Sequence, residues 1–376
     1  MASPWVLLLI FSLSLLCLRG WSQNTKPDQD LEYECVDIDK QPSLQHPQLK
    51  NHQIQMRPSD ELLAMLSREA LSQNLSNADE AVVEFDIPEE GCPQGQVPIH
   101  KSRRLNHSEK SFHPNGETLD QHSAMIKKID DNPWRGTTAV VGINQPQVIN
   151  NDQFSLALMM LTTKYDGEST TAWLGWAVFP EIYGDTRTRL TAYWTPDTDV
   201  NGCYNVRCKG FVQINKRIFL GAPFAKISVK GGQQYSAFFS ITQDPKTNNF
   251  LVTVGNNYIG YWPEEILPLF NDGGAEMVRF GGVTNTRSDG LQSYEIISPQ
   301  MGNGNKPLED EVDLKHTSFM HSIKYVTQDY QIVDIDDNNF TEDADAGKCF
   351  DVSYLGKFGR FGKSFTFGGP GGLCDV

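Results

Sequence analysis

The sequence lacks an excess of positive charge, and this absence excludes one large class of partner. Its 376 residues carry 47 acidic and 32 basic side chains, which gives a formal net charge of −15. A surface of this sign repels phosphate backbones. We therefore expect no nucleic-acid partner and interpret the dispersed carboxylates as a solvated surface.

Common catalytic motifs and long apolar runs are also missing. The chain contains neither Gly-x-Ser-x-Gly nor His-Glu-x-x-His, the simplest signatures of serine hydrolases and zinc proteases. The acidic stretch Asp334–Asn339 lacks the glycine and the final glutamate of an EF-hand loop. After residue 22, no apolar run approaches the length that spans a bilayer. We expect no metal and no cofactor.

The one long apolar run lies at the start of the chain. It extends from Trp5 to Leu18 and is followed by the small residues Gly20 and Ser22. The run is too short to span a bilayer comfortably, and small residues stand where a signal peptidase cuts. We predict a signal peptide over residues 1–22, rather than an anchoring segment, and therefore a secreted protein with no membrane association after signal removal.

Cysteine is scarce, but its count is informative. Of seven cysteines, Cys17 falls in the predicted signal peptide, which leaves six. An even number in an oxidising compartment favours disulfides, whereas zinc is disfavoured because the spacings are wrong and no histidine is close. Of the possible pairings, proximity in sequence favours Cys35–Cys92, Cys203–Cys208 and Cys349–Cys374.

Two kinds of processing site are visible in the sequence. Sequons at Asn74, Asn106 and Asn339 are candidate glycosylation sites in a secreted protein. The basic run at residues 100–104 is either a proteolytic processing site or a solvated charge cluster.

The hydrophobic pattern predicts a small first region, a linker and a large β region. Ser59 is the predicted N-cap of a short amphipathic helix that extends to Leu71. Residues 105–132 are hydrophilic and aperiodic, which is typical of a linker. From Trp134 onwards, about a dozen short strand patterns alternate with turn formers, and almost no helix separates them. We therefore predict an all-β fold, an antiparallel sandwich or barrel.

The most informative stretch extends from Ala172 to Cys208. Trp173 and Gly175 fall on one face of a predicted strand, and nearly every position up to Phe179 is apolar. Such a strand is expected to be buried on both faces.

Several segments together resemble the neprosin family, plant secreted glutamic endopeptidases. The activation peptide of that family resembles CVDIDKQPSLQHPQLKNHQIQMRPS and CPQGQVPI. Its catalytic domain resembles GWAVFPEIYGDTRTRLTAYWT, GCYNVRCKGFVQIN, GYWPEEILPLF, EMVRFGG and GGPGGLC. The resemblance implies an activation peptide over residues 23–104, a linker over 105–132 and an antiparallel β-sandwich of peptidase type over 133–376. It also supports the pairs Cys203–Cys208 and Cys349–Cys374, cleavage between the two domains, and secretion to the apoplast or cell wall.

The catalytic positions depart from the family pattern. The resemblance implies two glutamates, one a general base and the other a proton donor to the scissile carbonyl, with cleavage after proline. Trp173 stands where the first glutamate belongs, and Val283 where the second belongs. Indole has no acceptor lone pair, and valine neither donates nor accepts a hydrogen bond. We therefore predict no catalytic residue and lost or severely reduced peptidase activity, with a retained binding cleft lined by Trp173, Gly175, Tyr183, Phe280 and Val283.

Two alternatives remain open on sequence grounds. An active acid endopeptidase would require a carboxylate pair rebuilt from nearby residues, the candidates being Glu168, Glu181, Glu276 and Glu295. A sandwich that binds glycans or cell-wall material is the other alternative. The predicted partners are therefore proline-containing peptides or a cell-wall ligand, and the oligomeric state is left open.

Overall fold

Two large β-sheets dominate the chain. The computed structural model places Tyr33–Val376 in one compact unit. It describes residues 32–72, 80–82, 84–101, 121–166, 168–195, 202–271, 273–286, 297–308, 313–338 and 340–374. The predicted signal peptide and the sequons at Asn74, Asn106 and Asn339 lie outside these ranges.

The elements are mostly strands, as the sequence predicts. The helices are α1 (Asp60–Ser72) and the short α2 (Pro180–Tyr183). Single 3-10 turns occur at Ile38–Lys40, Pro42–Gln45, Pro47–Leu49, Pro268–Phe270 and Gly359–Phe361. The strands are β1 Tyr33–Asp37, β2 Glu80–Val82, β3 Gln96–His100, β4 Gln121–Trp134, β5 Gly136–Gly142, β6 Phe154–Tyr165, β7 Glu168–Val178, β8 Arg189–Trp194, β9 Cys203–Tyr204, β10 Val212–Gln213, β11 Gln234–Gln243, β12 Phe250–Val254, β13 Asn257–Trp262, β14 Ala275–Asn285, β15 Ser318–Val326, β16 Ile332–Asp334, β17 Phe340–Ala344, β18 Asp351–Lys357 and β19 Lys363–Gly368.

Seventeen of these strands form a sandwich of a seven-stranded and a ten-stranded sheet, while β1 and β3 pair as a separate two-stranded antiparallel sheet. The seven-stranded sheet has the order β17-β4-β14-β6-β7-β8-β9. The ten-stranded sheet follows the order β10-β13-β12-β11-β5-β15-β19-β18, with β16 paired to β15 and β2 to β11. All ladders within the seven-stranded sheet are antiparallel. The predicted all-β antiparallel sandwich is confirmed.

The main core fills the space between the sheets. Because side chains alternate along a strand, Leu174 and Trp176 of β7 point into this core, while Trp173 points to the opposite, outer face. The indole Nε1 of Trp176 donates to the Gly142 carbonyl oxygen of the other sheet at 2.9 Å. Burial of β7 on both faces, which the sequence predicts, is confirmed.

The second half of the predicted linker is a strand. Residues 121–132 belong to β4, which pairs with β14 on one side and β17 on the other. Its charges hide this from sequence inspection, because Lys127 and Lys128 interrupt the apolar pattern. Lys128 is nevertheless buried (1% exposed), and its ammonium donates to both carboxylate oxygens of Asp336, at 2.8 and 2.9 Å. The prediction of a linker here is wrong, whereas the domain boundary at residue 104 stays a prediction.

The N-terminal segment, residues 33–101 as far as the structure describes them, packs against the sandwich. Helix α1 begins where predicted, and the Ser59 hydroxyl accepts a hydrogen bond from the Leu62 backbone N–H at 3.3 Å. The helix lies on the outer face of the ten-stranded sheet. The three predicted disulfides are all formed: Cys35–Cys92, Cys203–Cys208 and Cys349–Cys374.

Candidate functional site

Trp173 and Val283, the positions at which the sequence resemblance leads us to expect glutamates, share one surface. Trp173 of β7 and Val283 of β14 both face outwards from the seven-stranded sheet, on either side of β6. Phe280 does not share this surface, because it is an odd number of residues from Val283 and so points into the core between the sheets. The structure therefore corrects the prediction that Phe280 lines the cleft.

The strand register fixes how the two positions relate. Trp173 lies opposite Met160 of β6, and Val283 lies opposite Leu156, four residues further along. Leu158 lies between them on β6. On a flat sheet this offset places the two Cα atoms roughly 16 Å apart. Side chains at these positions could meet only by reaching towards each other across Leu158.

Glycines lie on both sides of Leu158. Gly175 and Gly281 are its partners on β7 and β14. A Cβ at Gly175 would lie 1.9 Å from the Ala157 carbonyl oxygen, and one at Gly281 would lie 2.2 Å from that of Ala124. Both positions therefore need glycine, and they leave Leu158 as the floor between Trp173 and Val283.

Trp173 is part of a buried aromatic cluster. Its side chain is 0% exposed, stacks on Tyr193 with ring centroids 6.1 Å apart and meets the edge of Tyr204 at 5.9 Å. Its Nε1 has no hydrogen-bond partner in the part of the chain that the structure describes. The ring contacts thus surround an indole, and an ionised carboxylate here would lose its hydration.

Val283 lies in the same apolar cluster and is also 0% exposed. The other members are Met125, Phe154, Leu156, Leu158, Met160, Ala177, Phe179, Ile182, Tyr183, Tyr193 and Tyr204. No member carries a carboxyl group. Neither Trp173 nor Val283 can itself supply the acid–base chemistry of a glutamate.

The rival carboxylates do not form a pair. Glu276 accepts a hydrogen bond from the Lys164 backbone N–H at 3.4 Å, beside the end of β6 where Thr162 pairs with Met277. Glu181 follows Val178, which pairs with Ser155 at the other end of β6. Thr162 and Ser155, which mark these two positions on β6, are roughly 23 Å apart along the strand.

The other two candidates add no described carboxylate. The backbone of Glu168 pairs with Tyr165 at the hairpin end, and its side chain lies outside the described residues. Glu295 also lies outside them.

Tyr183 connects helix α2 to the Cys203–Cys208 loop. Its hydroxyl accepts a hydrogen bond from Asn205 Nδ2 at 2.8 Å and lies 2.7 Å from Thr191 Oγ1. Thr191 Oγ1 in turn donates to the Arg189 carbonyl oxygen at 2.9 Å, so Tyr183 donates to Thr191. Burial raises the pKa of Tyr183, which keeps the phenol protonated. Tyr183 therefore braces the loop, a role that its sequence context did not reveal.

A buried arginine supports the same corner. Arg189 is 0% exposed; its guanidinium donates to Asp185 at 2.6 Å and lies 5.1 Å above the Tyr183 ring centroid. Burial raises the pKa of Asp185, but hydrogen bonds from Arg189 and Arg187 outweigh it and hold the pKa below its usual value. The carboxylate of Asp185, in the turn Tyr183-Gly184-Asp185, is therefore held in a structural ion pair with Arg189.

Sequence inspection missed the aromatic partners of Trp173. Tyr193 is opposite Trp173 in the ladder between β7 and β8, and Tyr204 is opposite Tyr193 in the next ladder. Alternation along β8 indicates which of its residues share a face, but the cross-strand register was needed to place them beside Trp173.

The carboxylates of the acidic stretch after β16 are held by lysines. Asp336 binds Lys128, and Asp337 binds Lys363 and the Tyr354 hydroxyl. Burial raises the pKa of Tyr354, and the hydrogen bond to Asp337 raises it further. The described residues contain no group of three or more histidine, cysteine or acidic side chains arranged to hold a metal ion.

Comparison with solved structures finds weak similarity. Two structures of scytalido-glutamic peptidase, with a peptide-based transition state analog and with a transition state analog inhibitor, are 12% and 11% identical. Both cover 66% of this chain, and 97% and 98% of their own, with TM-scores of 0.30 and 0.33. The beta-porphyranase of the human gut bacterium Bacteroides plebeius is 8% identical, over 59% of this chain and 87% of its own, with a TM-score of 0.23.

Family models give the decisive comparison. The neprosin model matches residues 151–370, and the neprosin activation peptide model matches residues 26–133. The second match extends into β4, a strand with neighbours on both sides. Among the described residues, no helix is long and apolar enough to cross a membrane, and the three disulfides are typical of secreted proteins. The neprosin match spans more than half of the sequence, and the chain therefore belongs to the neprosin family.

Proposed function

We propose that this chain is a neprosin-family protein without peptidase activity. The observation that carries the proposal is the apolar cluster around Trp173 and Val283, in which neither side chain can hold or transfer a proton. Loss of one member of an interdependent catalytic pair removes most of the activity, and here both are replaced.

The proposed remaining function is binding at the outer face of the seven-stranded sheet. The rings of Trp173, Tyr193 and Tyr204 lie within about one ring width of each other, at centroid distances of 4.9 to 6.1 Å. All three rings are buried in this structure. The proposed ligand is a proline-containing peptide, whose proline rings pack against these aromatic faces when this side of the sheet is uncovered. We propose an extracellular location, in the apoplast or cell wall.

A cleavage assay tests the loss of activity. Acid-treated protein is incubated with proline-containing peptides between about pH 2 and pH 6, the range in which a carboxyl pair can share one proton. An active neprosin-type endopeptidase serves as the positive control. We expect no cleavage above a heat-denatured sample.

If cleavage is observed, two variants test whether a rebuilt pair of carboxylates causes it. If cleavage occurs and is abolished by Glu181→Gln or Glu276→Gln, a rebuilt carboxylate site exists and the proposal is wrong. The separation of these two residues along β6 argues against their acting as a pair.

A binding assay tests the second half of the proposal. Labelled proline-containing peptides are titrated against the wild-type protein and the Trp173→Leu variant, with wall polysaccharide as the competing probe. We expect peptide binding that weakens in the variant. Binding of polysaccharide alone would favour the glycan-binding alternative, and binding that is identical in both proteins would place the ligand elsewhere.

A further inference from the structure

The N-terminal segment, which matches an activation peptide, shares its core with the sandwich. Tyr33, Leu49, Phe85 and Cys92 belong to the same buried cluster as the interior of the two sheets. The Tyr33 and Phe219 rings are 4.9 Å apart, and the Phe85 and Phe224 rings stack at 4.8 Å. Removing the segment would expose this part of the core to water.

Helix α1 covers a second apolar surface. Leu62, Met65 and Leu66 are each at most 6% exposed. They pack on buried residues from four strands of the ten-stranded sheet: Val212, Leu251, Tyr261 and Val326. Since Leu251 alternates with Phe250 and Val252 of the main core, the helix covers the outer face of this sheet.

Polar contacts fix the position of the segment. Gln41 is 0% exposed, and its amide accepts from the Gln213 backbone N–H at 2.8 Å and donates to the Gln213 carbonyl oxygen at 3.2 Å. It therefore completes β10 as a neighbouring strand would. Without the segment, this backbone would lose both partners.

Gln55 makes the densest set of contacts. Its Nε2 donates to Asp244 at 2.8 Å, and its Oε1 accepts from Thr247 Oγ1 and Asn249 Nδ2, both at 2.8 Å. Its backbone N–H donates to the Tyr261 hydroxyl at 2.9 Å. All four partners belong to the sandwich.

The segment also supplies a strand and a buried charge pair. β2 pairs in parallel with the first residues of β11, from Gln234 to Ser236. Glu69 of α1 is 6% exposed and lies 2.9 Å from the Lys324 ammonium of β15. Each contact spans the two parts of the chain.

None of the three disulfides joins these two parts. Cys35–Cys92 lies within the segment, while Cys203–Cys208 and Cys349–Cys374 lie within the sandwich. After cleavage of the backbone between residues 101 and 121, only non-covalent contacts would hold the segment.

We infer that residues 33–101 are a permanent subunit of this protein and not a peptide that leaves on cleavage. The binding surface is the outer face of the ten-stranded sheet together with the edge strand β10 and the first residues of β11. The occupant is the chain's own segment, which remains bound after the backbone is cut at neutral pH. This inference does not depend on whether the protein has peptidase activity.

The test cuts the full-length protein and asks whether the pieces separate. A recognition sequence for a site-specific protease is inserted between Lys101 and Gln121, and the cleaved protein is passed through a size-exclusion column under non-reducing conditions. We expect both pieces in one peak at the volume of uncleaved protein, and two bands on a denaturing gel. Elution of the segment as a separate peak at neutral pH would overturn the inference.

A pair of variants shows which contacts hold the pieces together. Gln55→Ala removes three side-chain hydrogen bonds to the sandwich, whereas Arg57→Ala changes a side chain that is 74% exposed and pairs within the segment. We expect Gln55→Ala to raise the dissociation constant of the cleaved pieces at least about tenfold and Arg57→Ala to leave it unchanged.

A folding control and a substitute variant ensure that the dissociation constants are compared between folded proteins. Thermal unfolding of each uncleaved variant is measured first, and Glu69→Gln replaces Gln55→Ala if the latter does not fold. Equal dissociation constants for wild type and a folded interface variant would contradict the role of these contacts.

Discussion

Replacing Trp173 by an acid or by its neutral isostere measures whether the outer face still suits a glutamate. The sequence resemblance leads us to expect a carboxyl group at this position, whereas Trp173 is 0% exposed among Met160, Tyr193 and Tyr204. We compare Trp173→Glu with Trp173→Gln, which have nearly the same shape and differ in charge. Both lose the indole and its ring contacts, which costs about 3–5 kcal/mol in the free energy of unfolding.

The difference between the two variants reports on the surroundings of position 173. Burial in an apolar cluster raises the pKa of a carboxyl group, so the introduced acid must either lose its proton at a cost or stay neutral. The extra cost is about 1.4 kcal/mol for each pH unit above the usual range of a glutamic acid, or about 3–4 kcal/mol at pH 7. Near pH 4 the extra cost is close to zero.

Chemical denaturation of both variants at pH 7 and pH 4 is the assay. We expect Trp173→Glu to be less stable than Trp173→Gln at pH 7 and equal to it at pH 4. Folding raises the pKa of the introduced carboxyl group, so the folded protein binds more protons than the unfolded chain. The free energy of unfolding of Trp173→Glu therefore falls as the pH rises. Equal stabilities of the two folded variants at pH 7 would refute the apolar environment, since they would require a hydrated or paired site for the carboxylate.

Two further substitutions test the support of the fold. Asp185→Asn leaves the buried guanidinium of Arg189 without its carboxylate and should cost about 3–5 kcal/mol at pH 7. The pKa of Asp185 is held below its usual value in the folded protein. The ion pair therefore adds to the free energy of unfolding at pH values above the unfolded-state pKa of Asp185, and this contribution is lost as the pH falls through the folded-state pKa. The unfolding curves of wild type and variant should accordingly converge below about pH 4. Leu66→Ala, at a site 4% exposed, should lower the free energy of unfolding of the whole chain by about 2–5 kcal/mol in a single transition. Leu63→Ala, at a site 36% exposed, is its control and should change stability by about 0.5 kcal/mol or less; a separate early transition for α1 would show that the helix unfolds independently.

Much of the local structure could be predicted from the sequence. The predicted succession of short strands from Trp134 onwards is observed, and the N-cap of α1 is the predicted Ser59. These predictions succeed because alternation and capping depend on neighbouring residues.

Other predictions failed where a distant partner decides the outcome. The charged positions of β4 suggested a linker, but Asp336, far along the chain, pairs with buried Lys128. Phe280 was assigned to the same surface as Val283, although an odd spacing on one strand separates them. No local pattern indicated that Tyr193 stacks on Trp173.

The sequence by itself determined the family and the side chains that stand at positions 173 and 283. Trp173 and Val283 cannot transfer a proton in any fold, because the groups needed are not in their side chains. Only the tertiary structure decided what surrounds them, since the register of β6 between β7 and β14 places Leu158, not a carboxylate, between the two positions. It also decided that the N-terminal segment shares the sandwich core. Burial and pairing depend on residues that are distant along the chain and meet only when it folds.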